Sequence, residues 1–264
     1  MLALYRLLLS IHIAAGLVGL AAFWTPAFAR KGGVTHVQAG RIFYKATCVI
    51  AATGILMALA ILVDPLGVKP LRRDVSPERA AAIAGQIRLA APFLLYLVLI
   101  TFGPVYHGVR VLRTREAPEQ LRTPFHTALH LGMIAAAAGM IVLGLWSRQP
   151  VFAALSPIGF LTGIGNLRYA RRPLPTRMAW WYEHMGSMLG GGIAFHTAFL
   201  VLGAGRLLGT QLTGFAAVIP WIVPSIVGIP ATAIWVRYYQ RRFREDGVRA
   251  ASSGSPGERV MGRP

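Results

Sequence analysis

The sequence predicts an all-α protein, a polytopic membrane bundle of seven transmembrane helices. Of its 264 residues, 55% are hydrophobic and only 14% are charged, whereas soluble domains carry about 25% charged residues. The mean hydropathy is +0.55. Seven stretches without Asp, Glu, Lys or Arg are each at least 18 residues long, close to the roughly 20 apolar residues that a helix needs to cross a bilayer. This composition excludes an ordinary water-soluble domain.

Each uncharged stretch gives one predicted span. The seven spans cover residues 7–28, 46–63, 89–109, 123–147, 149–167, 184–205 and 207–236. The first is expected to be a retained span rather than a signal peptide, because its apolar run exceeds the usual 7–15 residues and Arg30 and Lys31 follow as a stop-transfer pair. The junctions at Arg148 and Arg206 are too short for a domain, so they predict antiparallel neighbours.

Two segments lie outside these spans. The largest external loop is residues 64–88, in which Ser76 and Pro77 predict a short N-capped helix near residues 80–87, suited to the membrane surface. The transmembrane domain therefore covers residues 1–246. Residues 247–264 are rich in Gly, Ser, Pro and Arg, which predicts a disordered cytoplasmic tail.

The basic residues predict the orientation of the bundle. The side that carries the C-terminus has 19 Lys and Arg, and the opposite side has 8. Since cytoplasmic loops of membrane proteins are enriched in Lys and Arg, the C-terminus is expected in the cytoplasm and the N-terminus outside. This distribution is typical of a multi-pass protein of the bacterial inner membrane.

The net charge of +18 and the single cysteine restrict the partners and the chemistry. Basic residues at nearly every helix end indicate contact with anionic lipid headgroups. No folded basic module is recognisable, so no nucleic-acid partner is expected. One cysteine allows neither an intrachain disulfide nor a cysteine-based zinc cluster. The histidines are therefore the main candidates for function.

Glycine pairs at four-residue spacing predict where helices approach each other. Gly159 and Gly163 share a face of the fifth span, and Gly186 and Gly190 share a face of the sixth. Small residues permit close packing of helices in lipid. The same faces would serve a homo-oligomer or assembly with a larger membrane complex.

The seven histidines fall into two layers by depth. His12 lies in the outer half of the first span, and His196 lies nine residues before Gly205, so both are expected at a similar depth, roughly 13 Å below the outer surface. The other five histidines lie near cytoplasmic helix ends: His36, His107, His126, His130 and His184.

Sequence spacing also indicates how the five histidines near the cytoplasmic helix ends, the inner layer, are oriented. His126 and His130 are four residues apart and project from one helix face. His36 begins a helical extension ahead of the second span, where it shares a face with Phe43 and Thr47. His184 follows an aromatic run typical of a membrane interface.

Haem b is the first hypothesis for these side chains. An iron would take one imidazole from each of two helices at matching depth, and two layers would allow electron transfer across the membrane. His12 and His196 are the expected outer ligands. The inner ligands would come from a set of four: His36, His126, His130 and His184.

Three other hypotheses remain open from sequence alone. His126 and His130 would suit a zinc site, whereas a di-iron centre is disfavoured because Glu183 is the only carboxylate near a span. A transporter of protons or small solutes would have to use His12 or His196, as no acidic residue lies mid-membrane. The last alternative is structural histidines in a non-catalytic subunit. Whether the protein is an enzyme stays open.

Two segments carry a resemblance to known proteins. One is Ile11-His12-Ile13-Ala14-Ala15-Gly16, and the other runs from Lys31-Gly32-Gly33 through His36 to Gly40-Arg41. Over about the first 60 residues the chain resembles a bacterial membrane protein family defined by a domain of unknown function, which implies a multi-span cytoplasmic-membrane protein. A weaker similarity, in the use of paired helix histidines, is to transmembrane haem b cytochromes.

Overall fold

The computed structural model describes residues 1–71, 75–204, 209, 216 and 218–245. All regular elements in these ranges are helical. The α-helices are α1 Leu2–Phe28, α2 Val34–Val63, α3 Pro65–Val68, α4 Pro77–Thr114, α5 Pro124–Ser147, α6 Pro150–Tyr169, α7 Ala179–Ala198 and α8 Ile219–Arg242. A 3-10 turn at Pro118–Leu121 precedes α5, and a π-helical segment at Phe199–Ala204 continues α7.

Seven of these helices are long and apolar enough to cross a membrane: α1, α2, α4, α5, α6, α7 with part of its π-helical extension, and α8. This confirms the predicted all-α bundle of seven transmembrane helices. The side of the membrane on which each terminus lies stays a prediction.

The helix boundaries refine the predicted spans. Helix α2 begins at Val34, which confirms the helical extension expected around His36. Its exposed face carries Arg41 and Lys45, while Phe43 and Thr47 are each only 1% exposed. The cations therefore point away from the bundle, as the sequence pattern indicated.

Helix α4 differs from the prediction. The expected surface helix and the third span form one continuous helix of 38 residues, so the expectation of a separate helix is wrong. Ser76 caps its start, since the Ser76 hydroxyl accepts a hydrogen bond from the Arg79 amide at 3.4 Å. The physical reason for continuity is the sequence of residues 80–91, which is rich in alanine and contains no proline.

The last predicted span is only partly described. Helix α8 covers Ile219–Arg242 and includes most of the expected 207–236. The junction expected at Arg206 and the tail expected at residues 247–264 lie outside the described residues.

Helix α4 occupies the centre of the bundle. It packs against α2, α5, α6 and α7, while α1 packs on α2 and α8 packs on α7. One core cluster joins α4, α5 and α6 through residues such as Tyr96, Met133 and Phe152. A second joins α1, α2, α4 and α7 and includes Phe43 and Phe195. Neighbouring helices in each cluster are therefore fixed by interlocking apolar side chains.

The two glycine pairs behave differently. A Cβ atom on Gly159 would lie 2.7 Å from the Tyr96 hydroxyl, and one on Gly163 would lie 2.7 Å from Ile134 Cγ1. This pair therefore permits close packing of α6, as predicted. A Cβ atom added to Gly186 or Gly190 would meet open space, with no atom within 4 Å. The packing expected of the second pair is not found, because these glycines line a cavity.

A tyrosine hydroxyl holds α6 against α4. Tyr96 donates to the Leu155 carbonyl at 2.9 Å and accepts from the Gly159 amide at 3.0 Å. Leu155 and Gly159 are four residues apart, so the hydroxyl is inserted where a direct backbone hydrogen bond would normally lie. This contact holds α6 against α4 at the level of the core.

Candidate functional site

Three buried histidines from two helices form a compact group at one end of the bundle. His107 lies near the C-terminal end of α4, and His126 and His130 occupy the first two turns of α5. All three side chains are 0% exposed. One ring nitrogen from each residue lies within 4.8 Å of the others. We call these residues the histidine cluster.

The start of α5 positions two members of the histidine cluster. Thr123 caps the helix, because its hydroxyl accepts a hydrogen bond from the His126 amide at 3.2 Å. Pro124 occupies the first helical position, which suits its fixed backbone angle and missing N–H. His130 follows one turn later on the same face. The helix start therefore points both imidazoles toward α4.

The rings of the histidine cluster are in direct contact. His107 Nδ1 and His126 Nε2 are 2.9 Å apart, a hydrogen-bond distance. The His126 and His130 ring centroids are 4.2 Å apart, with the rings tilted by 42°. The His107 and His130 centroids are 5.7 Å apart. The three rings are therefore neighbours in space.

Polar groups around the cluster orient two of its rings. Glu183 Oε1 of α7 lies 3.0 Å from His107 Nε2, and the Glu183 side chain is 29% exposed. His130 Nδ1 donates to the His126 carbonyl at 2.7 Å. These bonds leave His107 Nδ1 and His130 Nε2 facing the interior of the cluster. Histidines that bind metals are commonly oriented in this way, by a hydrogen bond on the nitrogen that faces away from the metal.

An asparagine side chain forms a hydrogen bond with one of the two nitrogens that face the interior of the cluster. Asn166 Nδ2, from the last turns of α6, lies 2.8 Å from His130 Nε2. Because His130 Nδ1 is already a donor, Nε2 is the acceptor and the asparagine amide is the donor. Asn166 therefore satisfies the lone pair that a metal ion would otherwise take.

Hydrogen bonding also defines the tautomers of the other two rings. If His107 Nε2–H donates to Glu183, then His107 Nδ1 accepts from His126 Nε2–H. His126 Nδ1 is then a lone pair, and among the described residues no partner lies within reach of it. The buried hydroxyl of Tyr169 also has no hydrogen-bond partner among the described residues. Its ring lies edge-on to the His107 ring, with the two centroids 5.6 Å apart. Buried polar atoms of this kind commonly mark a ligand site.

The geometry suits a metal ion held by three imidazoles. Zinc–nitrogen bonds of about 2.0–2.1 Å in a tetrahedron place ligand nitrogens about 3.3 Å apart. The 2.9 Å between His107 Nδ1 and His126 Nε2 would have to widen slightly, and the wider separations in the cluster, which reach up to 4.8 Å, would have to close. Imidazole ligands suit zinc, copper, iron and nickel. Three protein ligands leave a fourth position for water or substrate, as in catalytic sites.

The outer pair expected from depth is not formed. His12 Nδ1 lies 2.9 Å from the Thr53 hydroxyl on α2, whereas His196 Nε2 accepts from Trp24 Nε1 at 3.1 Å. Trp24 follows His12 by twelve residues on α1, a rise of about 18 Å. The structure therefore does not bring His12 and His196 together.

The surroundings of His196 also leave no free nitrogen. His196 Nδ1 donates to the Gly192 carbonyl at 2.7 Å, so both ring nitrogens are hydrogen-bonded. A Cβ on Gly192 would overlap the Phe23 ring, so an aromatic side chain already fills the space beside this glycine. Depth counting failed here because it assumes that the ends of α1 and α7 lie at the same level, whereas His196 lies beside Trp24, twelve residues farther along α1 than His12.

The remaining predicted site residues lie beside the histidine cluster or apart from it. His184 Nδ1 donates to the Gly108 carbonyl at 2.9 Å, next to His107 along α4. His36 is in α2, and among the described residues its buried Nδ1 has no hydrogen-bond partner. Of the inner-layer candidates, only His126 and His130 belong to the cluster.

Sequence analysis missed four residues of the site. His107 was assigned to the correct layer but not to a ligand set, and Asn166 and Tyr169 had no distinguishing pattern. Glu183 did carry a signal, because a lone carboxylate near a membrane span is by default a functional candidate with a partner to be found. Its partner is His107.

Comparison with protein families, with curated proteins and with solved structures finds no match for this chain.

Proposed function

We propose that the protein is an integral membrane metalloprotein that binds one divalent first-row transition metal ion at His107, His126 and His130. The observation that carries this proposal is the group of three buried imidazoles with ring nitrogens within 4.8 Å of one another. Two of the rings have their second nitrogen bonded to Glu183 or to a backbone carbonyl. Hydrogen bonds of this kind commonly orient the rings of metal-binding histidines.

The position of the site supports a role at the cytoplasmic face of the inner membrane. His107 lies seven residues before the end of α4, about 10 Å along the helix. This is the end of the bundle to which the positive-inside rule assigns the cytoplasm. A metal ion there can act as a Lewis acid or, for copper or iron, carry an electron.

Metal analysis of the purified protein tests this proposal. Wild-type protein is expected to retain close to one equivalent of zinc, copper, iron or nickel, measured by inductively coupled plasma mass spectrometry. The variants His107→Ala, His126→Ala and His130→Ala should each lose it. His196→Ala is the matched control, since its ring binds Trp24 and Gly192 outside the cluster. Equal metal content in all four variants would contradict the proposal.

Haem b with electron transfer across the membrane stays a second prediction, although its expected outer ligands, His12 and His196, are not brought together. Reduced-minus-oxidised absorption spectra of the same preparations distinguish the two. A haem signal that survives His107→Ala and His130→Ala would favour haem elsewhere in the bundle. A visible spectrum without haem bands, together with bound metal, would favour the histidine cluster.

A further inference from the structure

An elongated cavity lies beside the histidine cluster, between α4, α6, α7 and α8. Its volume is about 430 Å³, within the range of about 300–1,000 Å³ typical of small-molecule sites. The α7 side of the lining runs from Glu183 to Leu202, in the π-helical extension, a rise of about 28 Å. The cavity therefore extends over most of the roughly 30 Å hydrocarbon thickness of a bilayer.

The two ends of the cavity differ in chemistry. Glu183 and Asn166 line the end next to the histidine cluster, and each hydrogen-bonds to one of its histidines. Toward the other end the wall is largely apolar and includes Leu155, Leu202 and Trp221. A molecule that matches this lining has one polar end and one long apolar part.

Two glycines make room for that apolar part. Gly186 and Gly190 lie on the cavity wall one turn apart, and a Cβ on either would meet no atom within 4 Å. Helix packing therefore does not account for this pair, unlike Gly159 and Gly163. The open space beside them belongs to the cavity.

The polar end favours a neutral hydrogen-bond donor. An ionised carboxylate such as Glu183 only accepts hydrogen bonds, so it repels an anionic head group. A cationic head group would be repelled by a metal ion in the adjacent cluster; this step rests on the proposed function. A hydroxyl group satisfies both conditions.

We propose that this cavity binds a single-chain lipid alcohol, with its hydroxyl at Glu183 and Asn166 and its chain along Gly186 and Gly190. The proposal names the substrate class of the proposed metal site. In this position the hydroxyl lies beside the histidine cluster, and the chain follows α7 toward Trp221. The apolar chain lies against the apolar part of the lining, and the polar end keeps a hydrogen-bond partner.

Photolabelling of the full chain in nanodiscs tests the proposal. The probe is a long-chain alcohol with a diazirine on its alkyl chain, and labelled peptides are identified by mass spectrometry. In wild-type protein the label should map to α4, α6 and α7 residues of the cavity. Gly186→Leu and Gly190→Leu should reduce it by about tenfold or more, because the added side chain occupies the space of the alkyl chain.

The control variant is Gly139→Leu on α5. A Cβ atom added to Gly139 would also have no atom within 4 Å, but this glycine is exposed on the outer surface of the bundle and does not line the cavity. The variant should be labelled like wild type. Equal labelling of the wild-type protein and the three glycine variants would overturn the proposal. Label spread over the lipid-facing surfaces of the helices would also overturn it.

Competition identifies the head group. Unlabelled hexadecanol should displace the probe from wild-type protein, whereas hexadecanoic acid and hexadecylamine should not. In Glu183→Gln the acid should gain the ability to compete, since an amide donates to a carboxylate. Equal competition by all three compounds in wild type would overturn the assignment of a hydroxyl head group.

Metal content measured in the same preparations separates the two proposals. Gly190→Leu should lose the label and keep its metal, because Gly190 lies outside the histidine cluster. Protein that carries no metal but is labelled in the cavity, and is blocked by hexadecanol and not by hexadecanoic acid, would refute the metal site and support the cavity. Protein that carries metal but is not labelled in the cavity would refute the cavity alone.

Discussion

Proton positions decide what the histidine cluster can bind. In the metal-free arrangement His126 Nε2 donates to His107 Nδ1, whereas a ligand nitrogen must present a lone pair. For all three histidines to bind, the His126 proton has to move to Nδ1, the nitrogen that has no partner among the described residues. The ring can make this change without moving, but the proton on Nδ1 then has no acceptor among the described residues.

Glu183 is expected to strengthen metal binding through His107. Its carboxylate accepts the His107 Nε2–H bond at 3.0 Å, which makes Nδ1 a better ligand. Glu183→Gln should weaken metal affinity by about tenfold, the low end of what removing such a hydrogen-bonding partner costs, because the amide oxygen still accepts the bond without the charge. Competition with a chelating dye gives the dissociation constant.

Glu245→Gln is the matched control for this substitution. Glu245 lies at the same end of the bundle and accepts hydrogen bonds from Tyr182 and the Met178 amide, away from the histidine cluster. The metal affinity of the Glu245→Gln variant should equal that of the wild-type protein. A similar loss in both variants would assign the effect to general destabilisation.

Asn166 is expected to stabilise the metal-free state more than the metal-bound state. It donates to His130 Nε2 at 2.8 Å, and a bound metal would replace that bond. Asn166→Ala should therefore lower the free energy of unfolding of the metal-free protein by about 1 kcal/mol and change the metal-loaded protein less. Thermal unfolding in detergent, with and without added zinc, measures both. Equal losses in the two states would show that His130 Nε2 is not a ligand.

At the scale of helices, the same residue type has opposite roles at different positions. Gly163→Ala should destabilise the protein by about 1–3 kcal/mol through overpacking, because its Cβ would lie 2.7 Å from Ile134 Cγ1 and 3.0 Å from the His130 carbonyl. Gly186→Ala should be neutral or stabilising, since the site is open and alanine favours the helix. Unfolding midpoints of the two variants make the comparison, and equal midpoints would contradict it.

The uncharged stretches of the sequence were enough to locate the spans. Pro124 and Pro150 mark helix starts within one residue of the predicted ones. The Ser76 cap marked a true start but not the end of that helix, because no stop signal precedes the third span. The roles of Gly163 and Gly186 were indistinguishable in sequence, since spacing defines a face but not the element that it meets.

At the scale of the whole molecule, 19 basic residues on the C-terminal side against 8 on the other predict the topology. Alkaline phosphatase fused after Arg244 should be inactive, and green fluorescent protein fused there should fluoresce. Fusions after Ser147, on the opposite side, should give the reverse pattern. Active phosphatase after Arg244 would contradict the predicted orientation and place the histidine cluster on the outer face.

The histidine cluster shows which part of a site sequence can supply. His126 and His130 were predicted as neighbours because one helix fixes their spacing. His107, Glu183 and Asn166 come from three further helices, and their meeting depends on how α4, α6 and α7 rotate about their axes. Rotation is set by packing between helices, which the pattern of a single sequence does not encode.

Helix α4 is long enough to carry residues at both ends of the bundle. At 38 residues it is about 57 Å long, nearly twice the hydrocarbon thickness of about 30 Å. Pro92 and Pro104 lie inside this helix, and each removes a backbone hydrogen bond where the helix can bend. Pro104 lies within one turn of His107. A change of bend at this proline would therefore change the distance from His107 to the α5 histidines.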